Sequence, residues 1–313
     1  LSVFAVIFPL LFLVGLGYGL TRSKKFNQEQ ITGISRFAFN ISIPAFLFIN
    51  MARADLSQSI HFATMLTFYV PVLLVYCFGY FIGRWQSQPH DISNQAPQRA
   101  RNAVYALGCS YSNTVLVGLP IIVAALGERM MGVVFVIITF HSALLFALTF
   151  LLSASGRQQG GVWQTFGRSM LLNPVVLSIG LGLGVNALNI PIADELDKAL
   201  SLLAAPAIAC ALFVLGANLS FYRVSSAWQG AVIASTMKLA ILPAFVYGMG
   251  KWVTMIEPQM LAVVVLMSAS PLGVNSYLIA SKIQAHQKLL GSTVVLSTVL
   301  CVVSYAFWLS LFI

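Results

Sequence analysis

Charge is what this chain has least of. Only 8% of its 313 residues are charged, against 59% hydrophobic, and the mean hydropathy is +0.89. A soluble domain carries roughly 25% charged residues, so this composition cannot solvate an ordinary surface. Acid is scarcer than base, with 8 Asp and Glu against 17 Lys and Arg, and every acidic residue falls in a loop or at the end of an apolar run. That distribution leaves no buried carboxylate pair to serve as a proton relay. Cysteine is sparse too. Cys77, Cys109, Cys210 and Cys301 all lie within apolar runs and are expected as buried thiols rather than a disulfide framework. No CxxC, HExxH or nucleotide-binding loop occurs, so neither a metal nor a cofactor is expected.

What is present is apolar sequence in long runs, the mark of a polytopic membrane protein. At about 20 residues per crossing, ten spans are expected over 2–20, 34–52, 60–83, 102–126, 131–153, 173–189, 200–219, 229–250, 258–280 and 291–312. The first run lacks a basic leader and a small-residue cleavage site, and TRSKK follows it, so it reads as a true span and not a secretory signal. The chain opens on Leu1, which leaves room for residues before it.

The net charge of +9 is no nucleic-acid footprint, because the basic residues sit between apolar runs. Loops after odd-numbered spans hold Arg22, Lys24, Lys25, Arg36, Arg84, Arg99, Arg101, Arg157, Arg168, Arg223, Lys282 and Lys288, twelve in all. Loops after even-numbered spans hold four: Arg53, Arg129, Lys198 and Lys251. The positive-inside rule then puts the odd-span loops in the cytoplasm and both termini outside a cell (inner) membrane.

Five is an odd number, so a five-plus-five duplication gives halves of opposite topology. GLGYGL at Gly15–Leu20 is echoed by GLGLGV at Gly180–Val185, GRW at Gly83–Trp85 by GKW at Gly250–Trp252, and Pro44 by Pro206. The expected fold is all-α: two inverted five-span repeats over 1–155 and 173–313, joined by a cytoplasmic loop over 156–172.

In that register the fourth and ninth spans are both interrupted. SYSNTVLVGLPIIVAALG (Ser110–Gly127) and SASPLGVNSYLIAS (Ser268–Ser281) each set Asn, Ser or Thr, Gly and Pro in mid-span. Unwound backbone at membrane depth is tolerated where protein or a water-filled cavity satisfies it, and paired interruptions in corresponding halves point to a transporter's binding site. Asn113, Thr114, Gly118 and Pro120 in the first stretch, with Ser270, Pro271, Asn275 and Ser276 in the second, are therefore the expected substrate-binding residues. Lys238, mid-span in ASTMKLAILPAF, costs about 2.5–3.5 kcal/mol at a helix centre, so it should face the interior, where it could balance an anion. His141 in ITFHSALLF is a candidate for proton coupling or a histidine bonded to a neighbouring helix. Asn40 and Asn50 flank Pro44 on nearly opposite faces, so at most one of them is expected to face the substrate path.

SNTVLVGLPIIVAALGE from Ser112 resembles the fourth-span signature of the auxin efflux carrier superfamily, which includes plant PIN carriers and bacterial malonate-type carriers. SPLGVNSYLIASKIQAHQKLLGSTVVLSTVLCVVSYAFWL from Ser270 resembles that family's ninth and tenth spans. The likeness extends over the ten-span layout, with specific motifs in spans four, nine and ten alone. It implies that helices 4 and 9 cross at their breaks, with spans 1, 2, 6 and 7 as a scaffold and the rest moving in an elevator-like cycle. The family's crossover asparagines, which contact a substrate carboxylate, match Asn113 and Asn275. Ser112 stands where plant carriers have proline, which suggests a bacterial-type member.

The implied activity is secondary transport of small organic mono- or dicarboxylates across a lipid bilayer. Sodium or proton coupling is left open, and a homodimer is allowed for. A sodium-coupled bile-acid-type symporter is the alternative within transport, although that family places carboxylate and glutamine side chains at its crossover. A non-transporting sensor on the same scaffold is the alternative outside it. An intramembrane enzyme would need a nucleophile–base pair or metal ligands at helical spacing, and none occurs.

Overall fold

The computed structural model describes residues 3–54, 62–85, 96–127, 130–153, 172–221 and 227–312. All but the last residue of the connecting loop expected over 156–172 lies outside them, as do Arg129, Arg157, Arg168 and Arg223 of the charge count. The fold is all-helical. In chain order it runs α1 (Val3–Arg22), α2 (Gln28–Ala52), α3 (Phe62–Gly83), α4a (Gln98–Ser110), α4b (Thr114–Leu126), α5 (Met131–Ser153) and α6 (Pro174–Ala187), then α7 (Asp194–Leu219), α8 (Trp228–Val253), α9a (Pro258–Ser268), α9b (Asn275–Ile283) and α10 (Gln287–Leu309). Among the described residues seven helices are long and apolar enough to cross a membrane alone: α1, α2, α3, α5, α7, α8 and α10. The apolar helices α4b, α6 and α9a are shorter.

Local sequence explains the boundaries. Asn27 accepts the Gln30 N–H while the Gln30 side chain returns to the Asn27 N–H (both 2.9 Å), a reciprocal cap that starts α2. Pro174 and Pro258 open α6 and α9a, where a missing N–H costs nothing. Pro206 divides α7 after Ala204.

Packing depends on small residues, as expected where lipid supplies no hydrophobic drive between helices. α1 lies against the second part of α7, and α6 against the second part of α2. A Cβ on Gly17 would sit 2.1 Å from the Phe213 carbonyl oxygen, and one on Gly216 1.9 Å from that of Val14. On the other pair, a Cβ on Gly182 would come within 2.6 Å of the Phe48 carbonyl oxygen. Gly17 and Gly182 are the middle glycines of the two echoed motifs, and their neighbours Gly15, Gly19, Gly180 and Gly184 meet nothing within 4 Å. The echo is therefore one of contact as well as of letters.

The interrupted helices occupy the centre. Every residue of α4a from Asn102 to Ser110 is buried, and so is every residue of α9a from Met260 to Ser268. Outer helices expose large apolar side chains such as Phe8, Phe81, Phe140 and Val303, the surface that lipid would cover. Cys77 belongs to that outer surface. It is exposed on α3, while Cys109 and Cys301 are buried and Cys210 is half-buried. The expectation of four buried thiols is corrected to this extent, because an apolar run in a membrane protein has a lipid-facing side.

Candidate substrate site at the helix breaks

The two breaks meet each other. α4a stops at Ser110, Tyr111 turns extended, and Ser112 forms an antiparallel β-bridge with Leu272 in the gap between α9a and α9b. The Asn113 N–H donates to the Pro271 carbonyl at 2.8 Å. Two further backbone donors are met by side chains: Ser112 N–H reaches His141 Nε2 at 2.9 Å, and Leu272 N–H reaches Ser297 Oγ at 3.0 Å. Buried backbone polar groups need partners, and here a neighbouring full-length helix supplies one to each break.

Asn113 starts α4b as its N-cap, its Oδ1 accepting Leu116 N–H at 3.2 Å. Its Nδ2 is buried with no hydrogen-bond partner. Beside it lies a cavity of about 420 Å³. Asn113 and Thr114 form one wall, and Gly273, Val274 and Asn275 form another. Tyr111 lines it too, its hydroxyl hydrogen-bonded to Ser142 at 3.0 Å. Ser35, Phe39 and Asn40 of α2, Asn218 of α7, Asn173 with the first turn of α6 to Val176, and the apolar Val115, Leu116, Ile138 and Leu278 also line it. Among the described residues that line it there is no Lys, Arg, Asp or Glu. Its polarity comes from amides and hydroxyls, and from the starts of α4b, α6 and α9b, which all border it. Helix starts carry partial positive charge.

Of the twelve residues singled out in the sequence, Asn40, Asn113, Thr114 and Asn275 line this cavity. The others are placed elsewhere. Pro271 supplies the carbonyl that Asn113 uses. Ser270 Oγ bonds Tyr305 OH at 2.7 Å, and Ser276 Oγ donates to the Gly273 carbonyl at 2.7 Å. A Cβ on Gly118 would meet Ser270 Oγ at 2.8 Å and Met267 Sδ at 2.9 Å, so glycine lets α4b cross α9a closely. Pro120 sits in the first turn of the regular part of α4b, not at the break, where proline is tolerated. His141 stacks on Tyr111 (centroids 5.3 Å apart, planes 7° apart) and meets Phe68 edge-on. Its Nε2 accepts a hydrogen bond, so the ring there is neutral. Lys238 is fully buried, and its ammonium donates to the Ser268 carbonyl. Asn40 lines the cavity, whereas Asn50 donates to the Phe46 carbonyl at 2.8 Å and borders a separate hollow beside Arg53.

Tyr111, Ser142, Asn173 and Asn218 escaped the sequence reading. Asn173 could have been found, since Asn-Pro before an apolar run is a helix start, and its Oδ1 does cap Val175 N–H at 2.9 Å. Asn218 is an amide at the end of an apolar run, a weaker signal of the same kind.

With this geometry in view, the comparisons decide the family. The model of the family described as "Membrane transport protein" matches residues 2–309. The chain belongs to that family, which is that of the auxin efflux carriers. It is a transport family and not an enzyme family. A curated protein of Rhizobium meliloti (strain 1021), named "Putative malonate transporter", is 23% identical over 307 residues, covering 95% of this chain and 92% of its own length. The chain is thus a multi-pass membrane transport protein, and the motifs around Asn113 and Asn275 belong to the family they resemble.

Proposed function

We propose that this chain is a secondary carrier of small organic anions, mono- or dicarboxylates, bound where α4 and α9 break. One observation carries the reading: Asn113, whose buried Nδ2 lacks a hydrogen-bond partner, is among the residues that line the cavity. An unsatisfied buried donor costs about 1–3 kcal/mol, and a carboxylate, which only accepts, removes that cost. Asn275 and the starts of α4b, α6 and α9b would offset the negative charge. Malonate, named for the relative, is a small dicarboxylate of this class.

The matched close contacts at Gly17 and Gly182 support two inverted repeats, 1–155 and 173–313. On that basis α1, α2, α6 and α7 form a scaffold, and the remaining helices carry the site past it in an elevator-like cycle. The cavity lies near the start of α6 and the end of α7, beside the odd-span connections that carry most of the basic residues. With both termini outside, this is an inward-facing arrangement.

The test is uptake into proteoliposomes of a carboxylate panel, with thermal unfolding in detergent as the binding readout. If no carboxylate shifts unfolding, and Asn113→Ala and Asn275→Ala change neither measurement, the site assignment is wrong. Binding without flux would instead favour a sensor on a carrier scaffold.

A further inference from the structure

Lys238 has a setting that the cavity does not use. α8 contains a π-turn over Met237–Ile241, which leaves the Leu239 carbonyl to be taken up by α10, through Ser304 Oγ at 2.7 Å and Trp308 Nε1 at 3.4 Å. The turn is thereby fixed, and with it the lysine. Lys238 is fully buried, and its ammonium donates to the carbonyl of Ser268, the last residue of α9a. One turn back, Ser235 Oγ is buried with no hydrogen-bond partner. Among the described residues no carboxylate offsets the charge: Glu29 on α2, Asp194, Glu195 and Asp197 on α7, and Glu257 before α9a all sit at helix starts. The ammonium answers instead to the negative end of a half-helix.

In carriers built from broken helices, half-helix C-termini and unwound carbonyls are where a coupling cation sits. Resting on the carrier reading above, we infer that the Lys238 ammonium occupies the coupling-cation position at the end of α9a, so that transport requires no monovalent metal cation. A second cation on the same carbonyl would lie within about 4 Å of the ammonium, and at an effective dielectric of about 20 that repulsion is about 4 kcal/mol. Binding there is weakened roughly a thousandfold. The corresponding helix of the first half offers no such group: α3, packed along α4a, carries no charged residue between Phe62 and Gly83.

Two measurements test this. For the wild-type protein in proteoliposomes, replacing sodium by potassium or choline should leave carboxylate uptake within about twofold; a requirement for sodium overturns the inference. For Lys238→Met and Lys238→Ala in detergent, thermal unfolding is compared in sodium, lithium and choline chloride at equal ionic strength. Both variants should be stabilised by a small cation over choline, by about 2–4 °C at cation concentrations well above Kd, while the wild type should be indifferent. Variants that fold and show no cation response overturn it as well. If the variants do not fold, the wild-type uptake measurement decides. The unfolding comparison uses no substrate, so it stands even if no carboxylate is carried.

Discussion

The break in α4 and the break in α9 are built on one frame and finished differently. Each is followed by a 23-residue helix, α5 or α10, and each draws a hydrogen-bond acceptor from the residue ten places after that helix begins, His141 in one and Ser297 in the other. The two acceptors hold N–H groups of the two bridged residues, Ser112 and Leu272. The finishing differs in charge and in exposure to the cavity. α9a ends on an ammonium, whereas α3, packed along α4a, carries no charged residue between Phe62 and Gly83. Asn113 has a spare buried amide, whereas Asn275 is exposed. A common frame can thus be kept for position while the chemistry of each half diverges.

The comparison can be broken most severely at the helix crossings. Gly216→Leu and Gly17→Leu each drive a side chain into a backbone carbonyl, at 3 kcal/mol or more on the order of overpacking costs. The expected outcome is loss of folded protein in fluorescence-detected gel filtration, while Gly15→Ala and Gly19→Ala leave the yield unchanged. Equal losses at Gly15 and Gly17 would remove the contact echo between the halves. Next comes Asn113→Ala, which deletes the spare amide and should weaken carboxylate binding about 10–150-fold, the range for a hydrogen bond to a charged group. Asn275→Ala should cost less, because Asn275 is exposed and leaves no buried donor unsatisfied; a larger loss there would reverse the ranking of the two halves. Third, His141→Ala and Ser297→Ala each orphan one buried N–H and should destabilise by about 1–3 kcal/mol. His141→Ala should cost more because it also removes a ring stacked on Tyr111, a difference that chemical denaturation would register. The smallest effect is expected at the half-exposed Arg53–Asp197 ion pair, where Arg53→Gln should change stability by no more than about 1 kcal/mol.

Much of this was legible in the sequence because the membrane imposes strong rules. Runs of apolar residues marked the helices, and polar interruptions marked Asn113 and Asn275, both of which line the cavity. Proline was less informative about where the chain unwinds. Pro120 lies in the helix after the break, and Pro271 acts through its carbonyl. Lys238 was read as a charge for the substrate, yet its partner is Ser268, thirty residues on, and a π-turn aims it. Neither the turn nor that distance has a local signature. Asn218 and Tyr111 were missed for a similar reason, since an isolated polar residue in a span gives no indication of which neighbour it faces.

The short β-bridge between Ser112 and Leu272 has a mechanical consequence. Main-chain atoms 160 positions apart are fastened there, so Asn113 and Asn275 stand on one piece of backbone rather than on two independent helices. A shift of either break pulls the other with it, and the spacing between the two asparagines survives the movement. An anion gripped by both would travel as luggage in a closed hand, its coordination set before the journey begins and unaltered until it is released.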